Sequence, residues 1–309
     1  CIAENSYDEA LDIFVRVNST GKKLSKSDLL FSTLIDGWKS GKDNIEKLLD
    51  IMNNKGDQFN FSRDYLMRLC LVLVDANTNL KINSLTRETI LKVRESWAKI
   101  DYALDSMTDV LAEIGVSDEY LTSYNATMPI AYYIFKGGEI ESAESKKEVR
   151  KFLSVSLAKR LFGVASNEAL NATRNALKDI DCKKTPFKLD LFSEITLTGG
   201  RKFIVSEADI DFWLDTYEKG PNTYIILSLL YPDLKLSQVS FHQDHCHPYI
   251  SFESQNLQHI HIPKDKIENW QKKRNLLPNL QFLEGAENES KNKTPLKDWV
   301  AQGHDFAYH

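Results

Sequence analysis

Residues 241–248 read Phe-His-Gln-Asp-His-Cys-His-Pro, and this stretch is the most informative one in the chain. Five of the seven histidines fall within residues 242–261, beside Asp244. Two asparagines follow, Asn279 in an apolar segment and Asn288 at a predicted helix start. Imidazole, carboxylate and amide groups serve as bases and as metal ligands. The segment therefore predicts a chemical site.

Length and composition indicate a globular protein. At 309 residues the chain is long enough for two domains, since domains usually contain about 100 to 200 residues. Hydrophobic residues make up 42% of the chain and charged residues 27%, which argues against global disorder. The apolar run at residues 69–74 is far shorter than the roughly 18 residues of a membrane helix. We therefore expect no membrane span.

Cysteine usage and charge constrain the setting and the partners. The four cysteines are scattered and form no CxxC pair, so we expect no disulfides and a reducing, cytoplasmic setting. The formal net charge of -5 does not by itself favour nucleic-acid binding. Between Lys264 and Lys297, however, eight Lys and Arg residues stand against five Asp and Glu residues. This local basic excess lies beside the suspected site.

Most of residues 1–235 show helical periodicity, which predicts a mainly α fold. Serine followed three residues later by an acidic residue predicts a helix start at Ser25, Ser145 and Ser206. Residues 65–74 are apolar on nearly every side, which indicates a helix surrounded by others. The pair Gly199-Gly200 between two strand-like segments predicts a two-residue β-hairpin turn.

The pattern changes near residue 235 and becomes alternating. We predict a strand at 236–244, a second strand at 280–283 and a helix at 287–300. Such an order of strand, long loop, strand and helix can bring Asp244, His245 and Asn288 together. Phosphodiester hydrolysis needs a base that deprotonates water and a cation that neutralises charge. These residue types supply both.

A series of residues in this region matches a family pattern. It consists of Asp-His-x-x-Pro at 244–248, an asparagine in an apolar strand at 279, and Asn-x-x-Lys at 288–291. The series resembles the HNH branch of the His-Me finger nucleases, over about residues 237–299. The resemblance implies a C-terminal ββα-metal domain and endonuclease activity on double-stranded DNA.

The resemblance also implies a role for each matching residue. Asp244 and Asn288 would bind one Mg²⁺ or Mn²⁺ ion, and such ions prefer oxygen ligands. His245 would be the general base. Asn279 would hold the loop that carries this base, and Lys291 would contact phosphate. Further DNA contacts are expected from a basic group of residues, which consists of Lys272, Lys273, Arg274 and Lys293.

A second resemblance lies near the start of the chain. Residues 13–30 read Ile-Phe-Val-Arg-Val-Asn-Ser-Thr-Gly-Lys-Lys-Leu-Ser-Lys-Ser-Asp-Leu-Leu and resemble the motif that closes the ParB-like N-terminal domain of GmrSD-type restriction endonucleases. Those proteins join a nucleotide-using N-terminal domain to a C-terminal HNH domain. The resemblance implies type IV restriction, directed at base-modified foreign DNA, and it allows a homodimer.

The domain organisation follows from these two resemblances. The Asp-Gly-Gln-Gln-Arg motif of the N-terminal domain is absent from the sequence, which begins at Cys1 without an initiator Met. We therefore expect a fragment in which an NTP would act only through the missing domain. Residues 1–235 are predicted to be a helical domain, of which about 1–30 is the end of the truncated ParB-like domain. Residues 236–309 are predicted to be the nuclease domain.

The additional histidines leave an alternative open. A structural zinc site, in a catalytically inactive nucleic-acid-binding or regulatory scaffold, would use imidazole and thiolate ligands. The candidate ligands are His242, His245, His247, His259, His261 and Cys246. Their spacing lacks the paired CxxC or HxxxH geometry of such sites. His259 and His261 alternate with aliphatic residues, which favours the outer face of a strand.

Overall fold

A computed structural model describes residues 38, 40–56, 58–78, 86–163, 166–231, 234, 236 and 238–303. The helix predicted to begin at Ser25 and the motif at residues 13–30 lie outside this part of the chain. Within it the fold is mainly helical, as predicted, with two small antiparallel sheets. None of the helices in the described ranges is long and apolar enough to cross a bilayer.

The first part of the described chain is a helical bundle. Its helices are α1 (Gly41–Asn53), α2 (Arg63–Leu73), α3 (Arg87–Glu95), α4 (Trp97–Glu113), α5 (Met128–Phe135), α6 (Ala143–Ala158) and α7 (Ser166–Lys178). Eight of the eleven residues of α2 are buried, because this helix is apolar on nearly all sides, and the prediction for residues 65–74 is thus confirmed. Two further helices follow, α8 (Glu207–Thr216) and α9 (Pro221–Leu230). Helix α9 packs against α6.

The predicted helix starts have different outcomes. The start at Ser206 is confirmed, because its hydroxyl accepts a hydrogen bond from the N–H of Asp209 and the Asp209 carboxylate accepts one from the N–H of Ser206. The start at Ser145 is wrong by one turn. Ser142 caps α6 instead, and its hydroxyl accepts a hydrogen bond from the N–H of Ser145 at 3.1 Å. Both serines can cap a helix, but only Ser145 is followed three residues later by an acidic residue, so this pattern selected the wrong serine.

The predicted hairpin around the glycine pair is present. Its strands are β1 (Thr196–Leu197) and β2 (Arg201–Lys202), which pair in antiparallel fashion. Leu197 pairs with Arg201, so three residues rather than two form the turn. Gly199 and Gly200 have φ values of 79° and 76°, a conformation that side chains rarely adopt.

The C-terminal part has the predicted order of strand, long loop, strand and helix. The elements are β3 (Phe241–His245), α10 (Ser254–His259), α11 (Lys264–Lys273), β4 (Leu280–Glu284), α12 (Gly285–Lys291) and α13 (Leu296–Ala301). Strands β3 and β4 pair in antiparallel fashion. The prediction of β4 agrees with the structure to within one residue. Strand β3 begins at Phe241, five residues later than predicted.

Two local predictions in this part are wrong. The helix predicted at 287–300 is two helices, because Asn292 has a positive φ of 44° and Pro295 has no N–H with which to continue α12. The residues around His259 form helix α10 and a turn instead of a strand. The alternation of His259 and His261 with aliphatic residues covers too few positions to specify a strand, and within α10 it is Leu257 that is buried.

The β3–β4 sheet packs against helices α8 and α9. Phe241, Leu280 and Phe282 share a hydrophobic cluster with Trp213 of α8 and Tyr224 of α9. Backbone hydrogen bonds add a second connection, since the segment between α8 and α9 is bonded to the segment before β4. This packing places the last residues of β3 next to the connection between α8 and α9. The domain boundary at residue 235 stays a prediction.

Candidate active site at the end of strand β3

The residues of β3 alternate between the two faces of the sheet, and the register determines their partners on β4. Asp244 lies opposite Gln281, and His245 lies opposite Leu280. Phe241 and Gln243 are buried on the face toward α8 and α9, whereas Asp244 lies on the other face. Helix α12 follows β4 directly and packs against both strands on the face of Asp244. This strand–strand–helix arrangement brings the two ends of the sequence pattern together.

Lys291 lies inside this arrangement. Its Nζ donates hydrogen bonds of 2.7 Å to Oδ2 of Asp244 and of 2.7 Å to the backbone carbonyl of His245. The lysine side chain is 0% exposed and that of Asp244 is 13% exposed. The expected contact between Lys291 and phosphate is therefore not the arrangement observed, because the ammonium points into the protein and is already paired.

One oxygen of the Asp244 carboxylate accepts hydrogen bonds, and the other is available to bind a ligand. Oδ2 accepts hydrogen bonds from Lys291 and, at 3.4 Å, from Nε2 of Gln281. Among the residues that the structure describes, Oδ1 makes no hydrogen bond or ion pair. A carboxylate oxygen of this kind is a suitable ligand for a hard cation.

Asn288 lies on α12, three residues before Lys291. Residues three apart on a helix are neighbours on one face, so Asn288 and Lys291 lie on the same side of α12. The side chain of Asn288 is half-buried. The prediction that Asn288 lies at a helix start is wrong, because α12 begins at Gly285, immediately after β4 ends.

The imidazole of His245 has a defined partner. Its Nε2 lies 3.0 Å from Oδ1 of Asn275. An amide oxygen can only accept hydrogen bonds, so Nε2 of a neutral His245 carries the proton and Nδ1 carries the free lone pair. Asn275 is held in turn by its backbone carbonyl, which accepts a 2.9 Å hydrogen bond from the N–H of Lys219. The free nitrogen of the ring is thus the one that could accept a proton from water.

Asn279 is buried and connects the loop after β3 to the segment after α11. Its Oδ1 accepts a 2.8 Å hydrogen bond from the N–H of His247. Its Nδ2 donates to the carbonyl of His247 at 3.0 Å and to the carbonyl of Arg274 at 2.8 Å. One amide therefore satisfies three backbone groups and fixes both the residues that follow His245 and the residue that precedes Asn275.

The residues predicted to contact DNA are only partly brought together. Lys272 and Lys273 are exposed on α11 and pair with Glu268 and Asp215. The Arg274 guanidinium lies 3.8 Å from the ring centroid of Tyr249, a close cation–π contact. Arg274 directly precedes Asn275, the partner of His245. Lys293 is exposed in the segment that connects α12 to α13.

The additional histidines do not gather around a common point. His242, His247, His259 and His261 are all exposed. In the described part of the chain, no group of three His, Cys, Asp or Glu side chains is arranged to hold a metal ion. Burial raises the pKa of the Cys246 thiol above its ordinary value, and the nearby Lys291 only partly opposes this effect. The thiol form of Cys246 is thus favoured over the thiolate.

Two residues of the site were not predicted from the sequence. Gln281 is a polar residue in the apolar strand β4, and this break in the pattern was a signal that could have identified it. Asn275 follows a basic run and precedes Leu276, and no local signal distinguishes it. Its importance depends on the approach of residues that are distant in sequence.

The site is assembled from three segments, namely the end of β3, the residues before β4 and helix α12. No model of a known protein family matches the chain, and no curated protein matches it in sequence.

Proposed function

We propose that this protein is a metal-dependent DNA endonuclease of the HNH type. The observation that carries the proposal is the arrangement of Asp244 and His245 at the end of β3. One carboxylate oxygen of Asp244 has no partner in the described part of the chain, and the imidazole of His245 is oriented by Asn275. A cation ligand and a base with a free nitrogen thus follow each other directly in the sequence, within a strand–strand–helix unit.

His245 would act as the general base. Its Nε2 holds a proton toward Asn275, and its Nδ1 can take a proton from an attacking water molecule. Asn279 supports this role indirectly, because it fixes the backbone on both sides of the His245–Asn275 pair. The proton acceptor is therefore oriented before substrate binds.

Asp244 and Asn288 fit a hard cation such as Mg²⁺ or Mn²⁺. Both offer side-chain oxygens, and Asn288 lies on α12 three residues before Lys291, which is bonded to Asp244. When bound, the ion supplies positive charge that stabilises the phosphate and the leaving oxygen during hydrolysis. Lys291 holds the carboxylate of Asp244 in place by its second oxygen.

The basic group would provide the contacts to DNA. Arg274 lies next to the His245–Asn275 pair, with Lys272 and Lys273 further along α11 and Lys293 beyond α12. Together with the resemblance of residues 13–30 to GmrSD-type proteins, this basic group supports cleavage of double-stranded, base-modified DNA as part of a restriction system. Any use of a nucleotide would belong to a ParB-like domain N-terminal to the described residues.

Plasmid nicking tests the proposal. Supercoiled plasmid is incubated with Mg²⁺ or Mn²⁺ and with the parent protein, His245→Ala or Asn288→Ala. We expect each substitution to slow nicking by about 100-fold or more, which is a common cost of losing a general base or a metal ligand. His259→Ala is the matched control, because this histidine is exposed on α10 and should leave the nicking rate unchanged.

The outcomes separate the proposal from its alternative. Equal nicking by the parent protein and all three variants would contradict the assignment of the site. Tight duplex binding without any nicking by the parent protein would support an inactive nucleic-acid-binding scaffold instead.

A further inference from the structure

The ammonium of Lys291 is an unusual feature of the site because it is completely buried. Lysine is almost never fully buried unless it is paired, since an unpaired charge inside a protein is strongly destabilising. Here the side chain is 0% exposed, and its Nζ lies 2.7 Å from both Oδ2 of Asp244 and the carbonyl oxygen of His245. The ammonium is thus bound to the two residues that carry the proposed chemistry.

This position has a consequence for cation binding. The ammonium offsets the negative charge of Asp244 and occupies one of its oxygens, so a cation can use only Oδ1. A cation at about 2.1 Å from Oδ1 would lie within roughly 6 Å of Nζ, since Nζ is 2.7 Å from Oδ2 of the same carboxylate. Two positive charges at this separation repel each other, and burial leaves the repulsion poorly screened. Lys291 must therefore lower the affinity of Asp244 for a divalent cation.

We propose that Lys291 is an internal counter-cation that keeps the site weakly metallated until a substrate phosphate arrives. The phosphate adds negative charge next to the cation and offsets the repulsion from the ammonium. Cation and substrate then bind cooperatively, and the coupling is reciprocal, so the cation also strengthens substrate binding. This inference rests on the proposed function and adds a regulatory role for a residue that does not touch DNA.

A purely structural role for Lys291 predicts a different behaviour. If the lysine only stabilises the packing of α12 on β3, its removal loosens the site and weakens cation binding. If it opposes the cation, its removal strengthens cation binding even when the fold becomes less stable. The sign of the change in cation affinity therefore distinguishes the two roles.

Calorimetric titration with Mn²⁺ in the absence of DNA measures this sign. We expect Lys291→Met to bind Mn²⁺ about tenfold more tightly than the parent protein, because the methionine keeps the length of the side chain without its charge. Adding Asp244→Asn to Lys291→Met should abolish the gain. Lys297→Met is the matched control, since this lysine is exposed on α13 and its removal should leave the Mn²⁺ affinity unchanged. Equal or weaker binding by folded Lys291→Met would overturn the proposal.

A second measurement decides the matter if Lys291→Met does not fold. In His245→Ala, which retains Asp244, Asn288 and Lys291, a duplex oligonucleotide should raise the Mn²⁺ affinity at least severalfold. The contribution of Mn²⁺ bound by the duplex itself is removed by comparison with the His245→Ala and Asp244→Asn double variant. The absence of any rise would overturn the cooperative role.

The nicking assay keeps this inference separate from the proposed function. If His245-dependent nicking is observed but Lys291→Met binds Mn²⁺ no better than the parent protein, the counter-cation role fails and the nuclease assignment stands. If nicking is absent but removal of Lys291 tightens Mn²⁺ binding through Asp244, the nuclease assignment fails and the effect of Lys291 on the cation stands.

Discussion

The ring Nε2 of His245 lies 3.0 Å from the side-chain oxygen of Asn275, thirty residues later in the chain. The backbone of Asn275 is itself bonded to Lys219, in the connection between α8 and α9. The orientation of the imidazole therefore depends on the helical part of the protein as well as on β3.

Replacement of Asn275 by leucine should slow nicking by about 10- to 100-fold, because the ring loses the acceptor that keeps the proton on Nε2. The effect should appear in kcat rather than in KM. The ¹⁵N chemical shifts of the His245 ring should show a mixture of tautomers in the variant and a single Nε2–H tautomer in the parent protein. Asn269→Leu on the exposed face of α11 should change none of these quantities. An unchanged tautomer in Asn275→Leu would contradict this role.

Replacement of Asn279 should destabilise the C-terminal part. Asn279→Ala leaves three backbone groups without their partner in a buried position, which should lower the free energy of unfolding by about 2 kcal/mol or more. Asn279→Asp keeps the size but places an oxygen against two carbonyl oxygens, so it should be at least as destabilising. Urea unfolding followed by tryptophan fluorescence measures both. A loss no larger than that of Asn269→Ala would contradict the prediction.

Much of the fold could be predicted from local patterns. The cap at Ser206, the glycine hairpin, helix α2 and strand β4 each depend on residues within one element, and each is observed. Errors arose where two local signals compete. Ser142 and Ser145 can each cap a helix, and the acidic residue three positions after Ser145 favoured the wrong one. The helix predicted at 287–300 includes Pro295, which has no N–H with which to extend α12.

The candidate site was less predictable because its contacts are long-range. The sequence shows Lys291 as a charged residue in the first turns of the predicted helix, where solvent or phosphate is the usual partner. Only the packing of α12 on β3 shows that its partner is Asp244, 47 residues earlier. Asn275 was missed for the same reason, since its side chain becomes relevant only when the chain returns to β3.

Replacement of Arg274 should weaken duplex binding in a salt-dependent way. If its guanidinium contacts one phosphate, Arg274→Ala should reduce the slope of log affinity against log salt by about 0.9. Fluorescence anisotropy with a labelled duplex at several salt concentrations gives this slope. Lys99→Ala removes an exposed charge on α4 in the helical bundle and serves as the control. An unchanged slope in Arg274→Ala would exclude the phosphate contact.

The cap of α8 should make stability depend on pH. Burial acts to raise the pKa of Asp209, but hydrogen bonds from Lys159 and Ser206 outweigh burial and hold this pKa below its ordinary value. A lowered pKa in the folded state contributes stability above the unfolded pKa of about 3.9, and this contribution is lost as the pH falls through the folded pKa. Asp209→Asn should therefore lower the free energy of unfolding by about 1 kcal/mol at pH 7.

The difference between Asp209→Asn and the parent protein should be constant from pH 8 to about pH 5 and should shrink below about pH 4. Urea unfolding at each pH measures it. Asp211→Asn, on the exposed face of the same helix, should show no such pattern. A difference that grows as the pH falls would have the wrong sign.

The pairing of His245 with Leu280 has a consequence for how this protein could diversify. Residues 246–279 leave and re-enter the sheet at neighbouring positions, so the whole segment is topologically one long hairpin loop. The free energy of closing such a loop rises by only about 0.6 kcal/mol for each doubling of its length. Helices α10 and α11 could thus be lengthened, shortened or grafted from another protein while β3, β4 and α12 keep their register. Evolution and protein engineering could both alter the choice of substrate by recombination, without rebuilding the cleavage geometry.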